Sequence, residues 1–413
     1  MAFISLLDDR AKPKGSRDPL GFELVWSYFG RKVVGNLTTI TSSIENFAVA
    51  LLGFHWANEL NAHVNNEDKQ KAVRETFLLY EQVAGYLRCY GKSKAIMGVT
   101  RVTERLRNEG MLSVNIGMGS ESQILSDQAS YGLWGLYSSA MRDTGLIKGS
   151  ERKVTEKGRL IAQEIEKSLN KESFIQLIKS NTIDKVQIKV LAKSFMEAIQ
   201  SPLMRDELVS SLMSGAGSYP LQNELWTKTN QLFQDKEAQQ TQSGHLGDYL
   251  SKLKALGLSA HLQQCLNDIE DVEHVLVAIN NIFNYCQVKD GIEVQELISK
   301  LKEHQYDYSY LPESLPESSF PRKSHIELIL AALKKNDYQQ AVTHILALNS
   351  FVMKQRNGAA WVELEQGHKL RVRVRREGFK LADPKELLNK WDYDYFIGSY
   401  LSIARSYLGN ANG

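Results

Sequence analysis

Lys369, Arg371, Arg373 and Arg375 recur at every second position. In an extended strand that period sends all of them to one face. A row of guanidinium groups suits phosphate oxygens, to which arginine donates in pairs. Arg376 and Lys380 continue the row, and between Gln366 and Lys380 only Glu377 opposes it. Glu363 and Glu365, on the strand before, can pair across the hairpin, but two carboxylates do not cancel five or six cations. A second cationic group, Arg101, Arg105 and Arg107, falls on a stretch expected to be helical, Gly98 to Asn108. Both groups predict contact with the backbone of a polyanion.

Other spacings come close to a known chemistry and stop short. His55, Glu59 and His63 recur every four residues and would stack on one helix face, where a metal could be held with ligands from a partner helix. His55 lies between Phe54 and Trp56, in the most apolar run of the chain, so a hydrogen-bonded core histidine is the favoured reading and no metal is assigned. Gly85-Tyr86-Leu87-Arg88-Cys89-Tyr90-Gly91-Lys92-Ser93 has five residues between its glycines where a P-loop has four, and a long helix precedes it where a strand is required. Asp143, Glu151 and Lys153 echo the acidic-basic pattern of metal-dependent nucleases, but on a turn rather than a sheet core. No nucleophile elbow is present, and Cys89, Cys265 and Cys286 have no histidine at a suggestive spacing.

The chain that must position these groups has 413 residues, too many for one ordinary core. Its hydrophobic fraction of 43% and charged fraction of 24% are those of a globular protein and exclude wholesale disorder. Fifty basic and 48 acidic residues leave a net charge of +2, so any basic function is local. Three scattered cysteines exclude a disulfide framework and a four-thiolate zinc site, and fit a reduced, cytoplasmic protein. Met1 to Leu7 meets Asp8 and Asp9 at once and does not read as a targeting segment. The longest apolar run, Phe47 to Trp56, is about half of the roughly 20 residues that span a bilayer. It predicts a buried helix and no membrane partner.

Residues 1–17 read as a flexible basic arm. Asp18-Pro19 is a helix start, an N-cap with proline after it. Helices are expected over about Ser42 to Asn61, Glu67 to Tyr90 and Gly98 to Asn108, then a short strand at Met111 to Ile116 and a helix from Ser126 to Met141. About Asn170 to Gln305 reads as helix almost throughout. Asp307 to Lys323, with Pro312, Pro316 and Pro321, reads as an extended, exposed linker. A helical hairpin follows, then a β-hairpin in which Val362, Leu364, Leu370, Val372 and Val374 form the apolar face; Asp383-Pro384 starts the closing helix. The expected domains are 18–169, 170–306 and 324–413, with 307–323 between the last two. The fold class is mainly α, multi-domain, with a C-terminal β-hairpin on helices.

The run from Ser126 to Lys167 carries a further pattern. A helix ends in Asp143-Thr144-Gly145; Leu146-Ile147-Lys148 and Arg152-Lys153-Val154 flank a tight Gly149-Ser150-Glu151 turn; Thr155 caps a helix with Gly158 close behind. Over residues 126–167 this resembles the second half of a winged helix-turn-helix domain. The resemblance implies that Lys148 to Lys153 form the wing and that Arg142, Lys148, Arg152, Lys153, Lys157 and Arg159 meet DNA phosphates. The helix before the hairpin is apolar and aromatic, with Gln123, Gln128, Ser130 and Ser138 nearly the only base-reading groups in or near it, which argues against sequence-specific readout. The expected function is a non-enzymatic, cofactor-free DNA-binding or adaptor subunit of a bacterial multi-protein complex. Chains that join a helical scaffold to a small winged module resemble accessory subunits of DNA-maintenance or phage-defence systems; no family is recognised for the whole chain. The alternatives are a scaffold whose winged module docks a protein partner, and a metal-dependent nuclease.

Overall fold

The computed structural model describes residues 18–108, 110–234 and 245–409; the expected arm, residues 1–17, lies outside them. The protein is mainly α-helical, with small two-stranded antiparallel sheets. The described residues form two compact units, neither continuous in sequence: 18–33 with 245–395, and 34–234 with 396–409. These divide the chain elsewhere than the expected boundaries at 169 and 306.

The helix Ile44–Leu60 is the centre of the unit built from residues 34–234 and 396–409. Ser43 caps it, its side chain accepting from the Asn46 N–H at 3.3 Å. Its buried positions run almost unbroken from Ile44 to Ala57, as expected of a helix that is apolar all round. It packs against Asn66–Tyr90 and Glu156–Glu166. Gly53 makes the first contact close: a Cβ there would lie 2.5 Å from the Tyr80 ring. Ser113–Asn115 is the expected strand, and it pairs antiparallel with Thr182–Asp184, bringing Val114 opposite Ile183. That second strand interrupts the stretch expected to be helical.

The helix expected from Ser126 to Met141 is instead three short pieces, Gln128–Tyr131, Leu133–Leu136 and Ser138–Asp143. A buried carboxylate makes the first break. Glu81 accepts the Leu133 N–H at 2.6 Å and the Gln128 side-chain amide at 3.0 Å, taking a backbone donor that a continuous helix would have used. Gly132 is required at the break, since a Cβ there would meet the Gln128 carbonyl at 2.4 Å and the Glu81 carboxylate at 2.7 Å. The hairpin Ile147–Lys148 and Lys153–Val154 follows, and Thr155 caps Glu156–Glu166 as expected.

In the other unit the spine is Ala260–Cys286, against which Glu23–Val33 packs with Val25 and Phe29 buried. Asp18 accepts from the Phe22 and Glu23 N–H groups at 2.8 and 3.1 Å, but the helix begins at Glu23, so Asp18-Pro19 forms a turn ahead of it rather than the expected N-cap and first helical position. Lys323–Lys334 and Tyr338–Gln355 form the expected helical hairpin, and Val362–Glu365 with Lys369–Val372 the β-hairpin. Residues 307–323 have no helix, yet Tyr308, Leu311, Leu315 and Phe320 are buried, Phe320 meeting the Phe29 ring at 4.9 Å. The segment is therefore a packed loop, not an exposed linker: its apolar side chains outweigh its prolines and serines. Asp383 caps Pro384–Asn389; the closing helix Ile397–Leu408 is a separate element and belongs to the unit centred on Ile44–Leu60.

Candidate functional site

The C-terminal cationic row is assembled and then matched in part. Lys369–Val372 is the strand, in register with Glu365 to Val362, so the strand period ends before Arg373 and Arg375. Lys369 reaches Glu293 at 3.5 Å, Arg373 reaches Glu363 at 2.6 Å and Arg375 reaches Asp290 at 3.8 Å. Arg371 lies opposite Glu363. Glu363 is held below the usual carboxylate range first by the hydrogen bond from Arg373, and by the charges of Arg373 and Arg371. Arg376 donates to Asn284 at 2.8 Å and lies over the Phe379 ring. Glu293 and Asp290, which pair with Lys369 and Arg375, come from outside the hairpin, while Arg371 and Arg376 stay exposed.

The helix Val99–Arg107 also uses its arginines internally. Arg105 donates to the Tyr86 hydroxyl and to the carbonyls of Ser122 and Gln123, at 3.1, 2.7 and 3.0 Å, and Arg101 donates to Gln123 at 3.3 Å. Both clamp the loop after the strand. Arg107, at the helix end, is exposed.

The hairpin at 147–154 differs. Lys148 and Lys153 face each other directly across its strands, both exposed, and neither has a carboxylate partner among the described residues. Like charges in register repel. Arg152 follows the turn at φ +55°, its guanidinium 3.8 Å from the centre of the Trp134 ring and its Nε donating to the Ser138 hydroxyl at 2.6 Å. Burial pushes the Arg152 pKa down to about 10, and the charges of Arg142 and Arg74 add to the effect. Arg142 and Arg74 are exposed. Arg74, on the long helix Asn66–Tyr90, was not a sequence candidate; its position there is the only signal that could have found it. Lys157 is exposed, whereas Arg159 is held by Glu156 and by Gln163 at 2.7 Å.

Beside this hairpin a cleft of about 710 Å³ is lined by His55, Asn58, Glu59, Lys69, Lys153 and Arg159, among others. His55 is buried, as its place between Phe54 and Trp56 implied, but its Nε2 has no hydrogen-bond partner. Burial pushes its pKa down against the opposing pull of Glu59 and Glu166. His63 lies beyond the helix end and is exposed; Glu166 takes the place it was expected to fill.

Comparison with protein-family models, curated proteins and solved structures finds no match. The functional reading therefore rests on these side chains. Among the described residues no helix is long and apolar enough to cross a membrane.

The segment before the hairpin packs inward: Leu133, Trp134, Tyr137, Ala140 and Met141 are all buried. The hairpin's cations thus stand beside a packed, inward-facing segment.

Proposed function

We propose that this chain contacts the phosphate backbone of DNA without reading base sequence, through Lys148, Arg152 and Lys153 of the hairpin with Arg142 and Arg74 beside it, and that it does so as a binding subunit rather than a catalyst. The observation that carries this reading is the face-to-face pair Lys148 and Lys153, exposed and without a carboxylate partner among the described residues. Such a pair is unfavourable until an anion bridges it. Glu151 in the turn offsets part of the charge, yet the cations around it outnumber it. The C-terminal row, half of it paired with carboxylates, is left outside the interface.

The test is fluorescence anisotropy with two duplexes of unrelated sequence, about 20 base pairs each, between roughly 50 and 200 mM salt. With about four phosphates neutralised, log affinity should fall with log salt at a slope of roughly −3 to −4, equally for both duplexes. Lys148→Glu with Lys153→Glu should reduce that slope by about 2 and weaken binding at least roughly tenfold. Arg371→Glu with Arg373→Glu should leave the slope unchanged. Binding that ignores salt, or that survives reversal of the hairpin pair, overturns the proposal.

A second reading, a protein-docking module, has its own support. Tyr131 is 61% exposed on the segment before the hairpin, and Val186 and Val190, one turn apart on Lys185–Ile199, are 68% and 69% exposed. It predicts no salt-dependent retention on DNA.

A further inference from the structure

We propose that His55, Glu59 and Glu166 form a binding site for one divalent transition-metal ion, zinc first among them, at the wall of the cleft beside the hairpin. This goes beyond the DNA reading and does not depend on it.

The geometry is that of metal ligands rather than hydrogen-bond partners. His55 Nε2 lies 3.7 Å from Glu59 Oε2 and 3.6 Å from Glu166 Oε2. Those separations are too long for a hydrogen bond, which is why Nε2 has no partner although the side chain is only 5% exposed. Ligands held tetrahedrally at about 2.0–2.2 Å from zinc stand roughly 3.3–3.5 Å from one another. The observed edges exceed that by a few tenths of an ångström, and ligand atoms of all three residues lie within 4.8 Å of one another. A small contraction completes the site.

Two elements supply the ligands. Ile44–Leu60 places His55 and Glu59 one turn apart on one face, and Glu156–Glu166 brings Glu166 from its last turn. The Trp56 indole N–H donates to Glu166 Oε2 at 2.5 Å, which orients that carboxylate in the manner of an outer-shell partner. One nitrogen and two carboxylate oxygens match zinc, with manganese and cobalt as weaker occupants; calcium and magnesium prefer all-oxygen sites. Three protein ligands leave a position for water.

Lys171 is the competing cation. Its ammonium bridges Glu59 at 2.5 Å and Glu166 at 3.2 Å, and it balances the carboxylates in the absence of an ion. Its side chain is 31% exposed at the start of Lys171–Lys179, so it can swing into solvent as the metal enters. The site is therefore an exchange of one cation for another.

The test uses the full chain stripped with a chelator and titrated with zinc chloride by calorimetry, with cobalt(II) absorption reporting coordination. Wild type should take up one zinc per chain and give a tetrahedral cobalt spectrum. Glu59→Gln, at a half-exposed position, should weaken zinc at least roughly tenfold with unchanged circular dichroism. Lys171→Met should tighten it at least about fivefold by removing the competing charge, and His63→Ala should change nothing. Failure of wild type to bind zinc, equal binding by Glu59→Gln, or no gain from Lys171→Met each overturns the site. Changes confined to Lys148 and Lys153 leave it untouched, so this proposal and the DNA proposal fail separately.

Discussion

Glu273→Ala should destabilise the unit built on Ala260–Cys286 by roughly 3–5 kcal/mol at pH 5, and by less at pH 8. Glu273 is fully buried. Its carboxyl accepts from the backbone N–H groups of Asp392 and Tyr393, the latter at 3.1 Å, and from the Tyr395 hydroxyl at 2.8 Å. Truncation orphans those donors beneath a packed aromatic group in which the Trp26 and Tyr393 rings are stacked 6.1 Å apart. Each buried donor left unmet costs about 1–3 kcal/mol.

The pH dependence follows from the direction of the Glu273 shift. Burial pushes its pKa up to about 7, with the charge of Asp392 acting the same way, against the hydrogen bonds from Asp392, Tyr395 and Tyr393. Between its ordinary value of 4.5 and about 7 the folded chain keeps a proton that the unfolded chain has released. The stability this group contributes is therefore complete below the unfolded value and is lost as pH rises through about 7. The window is worth on the order of 3 kcal/mol. Alanine removes the titration, so the gap between wild type and variant should narrow steadily from pH 5 to pH 8. Urea unfolding followed by tryptophan fluorescence across that range measures it; parallel profiles would sink the assignment.

Glu273 also marks what can and cannot be read from the chain. Local signals carried well. Thr155 before Glu156, Asp383 before Pro384, and the alternation from Val362 to Val372 each depend on neighbours a few residues away, and each formed. The failures are non-local. Thr182–Asp184 is a strand because Ser113–Asn115 lies beside it, and nothing within three residues announces that. Residues 307–323 look like a linker from their prolines and are packed because of their aromatics and leucines. The site divides in the same way. The cationic period from Lys369 to Arg375 was visible, but Glu293 and Asp290, which neutralise much of it, come from a distant stretch. The His55–Glu59 spacing was visible too, while Glu166 could come only from the fold. The hairpin itself was visible, but its expected three-residue turn sets Lys148 opposite Arg152; in the structure the loop is one residue longer, Lys148 faces Lys153, and no carboxylate meets that pair among the described residues.

Glu81→Ala should cost the other unit roughly 2–4 kcal/mol, and the loss should reach the hairpin. Glu81 is buried, and burial pushes its pKa up to about 7 against the hydrogen bonds from Leu133 and Gln128 and the charge of Arg88. It anchors a buried polar chain: Gln128 donates to Glu81 and to the Leu78 carbonyl at 2.9 Å, Gln82 donates to Gln128 at 3.2 Å, and Gln82 exchanges bonds with Gly117 at 2.8 and 3.0 Å. A network of this kind is stable only when every member is met. Removing Glu81 frees the Leu133 N–H and with it the break that sets the direction of Leu133–Leu136. Trp134 and Ser138, which hold Arg152, follow from that break. Glu81→Ala should therefore lower the urea midpoint and also weaken salt-dependent DNA retention, although Glu81 is far too buried to touch a ligand itself. Glu81→Gln keeps one carbonyl acceptor and should recover part of both losses. A variant that loses stability yet binds DNA with the wild-type salt slope would show that the break at Gly132 supports the core alone and does not position the hairpin's cations.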